Sequence, residues 1–88
     1  MGMDQVELVM EIEDTFGVRV PEEEAQLMST VGDVTEWLVA ELRADAPHGK
    51  WTRAQVQQQL YRIISSQLGV REEQLHPGAR FVEDLGAD

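Results

Sequence analysis

Asp4, Glu7, Glu11 and Asp14 are spaced by three, four and three residues. On a helix that spacing lays four carboxylates in one stripe. An exposed stripe of this kind either keeps a helix solvated or docks a basic protein surface. Docking of this sort adds encounter rate and specificity more than affinity, and it weakens with salt.

The other residue types able to do chemistry point nowhere as sets. His48 and His76 lie 28 positions apart beside prolines, with no partner at metal-ligating spacing, and read as two solvated histidines. Glu22, Glu23 and Glu24 run consecutively, which suits the positive end of a helix better than the spaced oxygen ligands of a calcium loop. Ser29, Ser65 and Ser66 have no neighbouring histidine and no nucleophile-elbow context. No glycine-rich phosphate loop is present, and the absence of cysteine removes disulfides and thiolate metal sites. Trp37 and Trp51 read as core or edge residues, with Trp51 closing the bundle end near a linker. An enzyme is not expected, nor any metal.

The elements that must position these groups are helices. Asp4 is placed to cap the first, with Glu7 three residues on. Val6, Val9, Met10 and Phe16, widened by Leu8 and Ile12, recur at helical spacing as its apolar side, and Gly17 ends it. Val18 to Pro21 is extended, because the residue before a proline is pushed out of the helical region. Glu22 to Met28 makes a helix of two turns. Thr30, with Asp33 at the third helical position, caps a helix carrying Val31, Val34, Leu38 and Leu42 and ending near Arg43. The stretch from Ala44 to Lys50, ADAPHGK, is a linker. Thr52 and Gln55 form a capping box for a third long helix, whose stripe is Val56, Leu60, Ile63, Ile64 and Leu68 and whose end is Gly69. From Val70 the chain is mostly loop, tacked to a core by Leu75, Phe81, Val82 and Leu85. The fold class is therefore all-α, a small four-helix bundle in one domain over residues 1–88.

The chain has 88 residues, 42% hydrophobic and 27% charged, so it is foldable but small, with little room for a deep cavity. Seventeen acids against seven Lys and Arg give a formal charge of −10. Residues 1–45 hold 12 acids and 2 bases, whereas residues 46–88 hold 5 of each. The excess therefore sits in the first half, a field that repels nucleic acid and anionic membrane and attracts basic proteins. No apolar run reaches the roughly 20 residues of a membrane span. Met1 to Asp4 has neither the basic nor the apolar region of a signal peptide, and a cytoplasmic location is expected.

Two stretches resemble a known family. Gln67-Leu68-Gly69-Val70, Glu72-Glu73-Gln74-Leu75, Pro77 and Phe81-Val82-Glu83-Asp84-Leu85-Gly86-Ala87-Asp88 are similar to the first helix and following loop of acyl carrier proteins. Met3 to Met10, Phe16-Gly17-Val18, Val20-Pro21 and Thr30-Val31-Gly32-Asp33-Val34 are similar to the second, third and fourth helices of the same family. The order is reversed. The resemblance thus implies a circularly permuted acyl-carrier-like bundle: residues 1–43 correspond to family helices 2–4, residues 44–51 are the linker, and residues 52–88 correspond to helix 1 and the long loop. In the family's bundle the end of the fourth helix lies near the start of the first, and eight linker residues can span about 25 Å. Permutation is tolerated at exposed loops.

In that family the loop ends in Gly-x-Asp-Ser-Leu, the serine carries 4′-phosphopantetheine, and an acidic second helix docks basic patches of partner enzymes. Here Gly86-Ala87-Asp88 ends the chain, and only Met1 and Gly2 precede Met3 where the serine is expected. Neither has a hydroxyl. The resemblance therefore implies no cofactor on this chain and a docking face at Asp4, Glu7, Glu11 and Asp14, directed at acyl-processing enzymes of fatty acid or polyketide biosynthesis. Three readings follow. The first is a carrier-like interaction module that bears no acyl group. The second is a true carrier seen as part of a longer chain in which Asp88 precedes Ser-Leu. The third is a structural role in which two copies exchange halves, so that the protein is a monomer or a domain-swapped dimer.

Overall fold

The two threonines that the sequence marks as caps open the best-defined helices of the computed structural model, which describes residues 3–44 and 46–87. Met1, Gly2, Asp45 and Asp88 lie outside the described residues, as do the side chains of Met3 and Asp4. Thr30 Oγ1 accepts from the Asp33 N–H at 3.0 Å while the Thr30 N–H donates to Asp33 Oδ2 at 3.1 Å. Thr52 and Gln55 repeat the reciprocal pair at 3.1 and 3.0 Å. Each box satisfies amide donors that a helix start leaves unpaired.

The elements in chain order are α1 (Met3–Phe16), α2 (Glu22–Leu27), α3 (Val31–Leu42) and α4 (Arg53–Leu68), followed by a 3-10 turn at Glu72–Gln74. The architecture is an all-α four-helix bundle, with a single isolated β-bridge between Thr30 and Arg80 among the described residues. The 3-10 turn falls where the sequence shows only loop. Helix α1 begins at Met3, so Asp4 stands inside its first turn and not at its cap. Gly17 closes α1 with φ of 67°, in the left-handed region that glycine adopts without a Cβ clash. The Glu13 side chain then accepts from the Val20 N–H at 2.8 Å, fixing the extended Val18–Val20 segment against the helix it leaves.

Helix α4 is the central element and packs against both α1 and α3. Its Val56, Leu60 and Ile64 are fully buried, as are Val31 and Leu38 of α3. From α1 come Leu8, Ile12 and Phe16, and from the C-terminal segment Leu75, Ala79, Phe81, Leu85 and Ala87. One core thus takes side chains from both ends of the chain. Three expected core positions on α1 lie outside it: Val6 is 41% exposed, Met10 57%, and Val9 is half-buried. The aliphatic residues at 6, 8, 9, 10 and 12 offer two possible stripes, and packing on α4 selects Leu8–Ile12–Phe16. Val82 is likewise 55% exposed, because its neighbours Phe81 and Leu85 take the inward positions. Trp51 and Trp37 are half-buried at the core edge. The Trp51 ring lies 4.8 Å from that of Phe16, so it closes the bundle end beside the linker.

Candidate functional site

The exposed side of α1 follows from its buried side. With Leu8, Ile12 and Phe16 turned to the core, a rotation of roughly 100° per residue carries Glu7, Glu11 and Asp14 to solvent. All three are exposed, and none pairs with a Lys or Arg among the described residues. Val6 and Met10 lie on the same outward side, one turn apart. The carboxylates therefore border two solvent-exposed aliphatic side chains, a mixed surface that charge counting alone does not find. Asp4 belongs to the same helix, but its side chain lies outside the described residues.

A second feature lies on the other flank of α1. A cavity of about 340 Å³ is lined by Leu8 and Ile12 of α1, Ala25 of α2, Val34 and Trp37 of α3, and Phe81 of the C-terminal segment. Its size is at the lower end of ligand pockets, more room than an 88-residue chain leads one to expect. Gln5, Glu22, Gln26, Ser29 and Glu83 add polar groups to the lining, so the chemistry it can hold is an aliphatic group with a polar end.

The C-terminal wall of that cavity is fixed by backbone bonds. The Val31 N–H donates to the Ala79 carbonyl at 2.9 Å, Gly32 N–H to Pro77 at 2.8 Å, and Phe81 N–H to Ser29 at 3.1 Å. Helix α3 can approach this closely because residue 32 is glycine: a Cβ there would meet the Pro77 oxygen at 2.8 Å. Each side of the Thr30–Arg80 bridge is backed by a carboxylate. Slight desolvation works to raise the Asp33 carboxyl, but hydrogen bonds from the Ser29 and Thr30 amides and hydroxyls outweigh it and hold it below the usual aspartate range. Asp84 is lowered mainly by the Arg80 N–H, which donates to its Oδ2 at 2.9 Å, with the Arg80 charge assisting. Glu36 is lowered by a two-point hydrogen bond from Arg53, at 2.6 and 3.2 Å, which ties α3 to the start of α4.

The remaining candidates stay apart. His48 and His76 are both exposed, and no group of three metal-ligating side chains occurs among the described residues. Ser29 is engaged with Asp33, and the Ser65 hydroxyl donates to the Val70 carbonyl, a local tie at the end of α4. No helix among the described residues is long and apolar enough to cross a membrane.

Among curated proteins, an acyl carrier protein of Lactobacillus johnsonii is 47% identical to this chain over 37 residues, which is 42% of this chain and 46% of the relative. The match thus spans about half the length of that relative. No family profile matches the chain, and no solved structure matches it. A carrier is not a catalyst, so the likeness agrees with a chain that is not an enzyme.

Proposed function

We propose that this protein is an acyl-carrier-like interaction module in circularly permuted order, which docks basic surfaces of acyl-processing enzymes through α1 and carries no 4′-phosphopantetheine of its own. The observation that carries the reading is the outward face of α1, where Glu7, Glu11 and Asp14 stand unpaired beside exposed Val6 and Met10. Unpaired carboxylates steer a basic partner, and exposed aliphatic groups supply the area it can bury. The likeness to an acyl carrier protein supplies the class of partner. Permutation accounts for the extent of that likeness: a linear alignment of two permuted chains can follow only one half at a time, and this one stops short of half of either chain. Asp4 belongs to the same docking helix. Within this reading the protein acts in the cytoplasm, on partners of fatty acid or polyketide biosynthesis.

Two measurements test it. Incubation with a phosphopantetheinyl transferase and coenzyme A should leave the intact mass unchanged, since Ser29, Ser65 and Ser66 lack the Asp-Ser-Leu setting. A gain of one phosphopantetheine overturns the non-carrier part and assigns the attachment to one of these three serines. The double reversal Glu7→Lys/Glu11→Lys should weaken binding to a basic acyl-processing enzyme on the order of tenfold at low salt. Exposed ion pairs are worth roughly 0.2–1 kcal/mol each, and reversal adds repulsion. Binding that survives the change places the interface elsewhere.

A further inference from the structure

We propose that the connection between α3 and α4 is a strained hinge through which two copies of this chain exchange their second halves, so that residues 52–87 of one molecule complete the core and cavity of the other. Among the described residues, three left-handed ones close helices. Two are Gly17 and Gly69, at φ of 67° and 68°. The third is Arg43, at φ of 52°, the one non-glycine residue with positive φ among those described. A side chain at that backbone conformation is disfavoured. The linker then doubles back tightly: the Ala46 N–H donates to the Arg43 carbonyl at 2.9 Å, and a Cβ at Gly49 would lie 2.6 Å from that same oxygen. Residues 46–50 are all exposed and contribute nothing to the core. Opening the hinge therefore loses local hydrogen bonds to water, releases Arg43 to ordinary backbone, and leaves every core contact available from a second copy.

The occupant is specified by the surface that opening uncovers. Leu8, Ile12, Phe16, Val31, Val34 and Leu38 form an apolar face whose complement is the Val56–Leu60–Ile64 stripe with the Phe81 anchor. A second copy brings that complement in the same geometry. In the exchanged dimer the cavity on each side takes Phe81, Val82 and Glu83 from the other copy, and the assembly presents two acidic α1 faces. A partner array carrying repeated basic patches then binds bivalently, with gain set by effective concentration.

A flexible tether of this length holds its ends at an effective concentration on the order of millimolar, which sets the dissociation constant of an unstrained exchange. Relief of one left-handed residue in each of two hinges tightens this by roughly thirtyfold, to tens of micromolar.

The test begins with refolding of the full chain from denaturant at concentrations from about 10 µM to 1 mM, followed by size-exclusion with light scattering. Dimer should rise through the tens-of-micromolar range. Arg43→Gly should return the midpoint toward millimolar, a shift of about thirtyfold. Exchange itself is read by complementation: Leu38→Asp and Leu60→Asp each break the core and should leave the chain unfolded alone, whereas co-refolding the two should restore about half of the native helical signal through the one intact lobe of the mixed dimer. A monomer independent of concentration to 1 mM, or a mixture with no recovered helicity, overturns the exchange. A dimer whose midpoint Arg43→Gly leaves unmoved overturns the strained hinge.

Discussion

The linker at 44–51 and the C-terminal segment at 70–87 both read mostly as loop in sequence, each carrying Pro and Gly, yet the bundle treats them oppositely. The C-terminal segment drops five side chains into the core and hydrogen-bonds to the start of α3 through three backbone amides. In the linker, Ala44 and Trp51 touch the core from either end, while residues 46–50 between them are exposed. Irregular backbone becomes structural when apolar anchors recur along it, and remains a connector when they do not.

The comparison breaks most sharply at Phe81. Phe81→Ala should cost about 3–5 kcal/mol in urea unfolding, since the cavity already beside it gives the site little way to close over the lost ring. A loss under about 1 kcal/mol would mean that the segment is no better anchored than the linker. Gly32→Ala comes next. Alanine favours a helix by up to about 1 kcal/mol, but its Cβ would press on the Pro77 backbone oxygen, an overpacking worth about 1–3 kcal/mol, so a net destabilisation near 1 kcal/mol is expected. A stabilised variant would show that α3 and the Pro77 turn are free to part. Thr30→Ala, which removes the capping hydroxyl beside the bridge, should cost about 1 kcal/mol.

Acid separates the two segments in the same direction. The Asp33 and Asp84 carboxyls are lowered in the folded state, so their contribution is present above the unfolded value near 4 and is lost as pH falls below it. Stability should fall as pH drops below about 4, and Asp33→Asn should make that fall shallower; an unchanged slope removes Asp33 from the seam. The smallest effect belongs to the linker, where His48→Ala should change unfolding free energy by less than about 0.5 kcal/mol.

Much of this was legible locally. Both capping boxes, the glycine stops at 17 and 69, and the buried stripes of α3 and α4 depend on neighbours within one helical turn. The outward carboxylates of α1 were legible for the same reason, because spacing fixes which residues share a side. The apolar half of that face was not. Val6 and Met10 look like core in sequence, and become surface only because α4 packs against the alternative stripe. The cavity was hidden too, since Trp37 and Phe81 are 44 positions apart.

Local sequence set the helices, their ends, and the sign and side of the surface charge. Those properties follow from residue type and short-range spacing. Packing decided which aliphatic residues of α1 became core, that residues 77–81 pair with the start of α3 and help wall a cavity, and that the strain of ending α3 rests on an arginine. Each depends on where α4 sits against α1 and α3, a contact between segments far apart in the chain that no local spacing specifies.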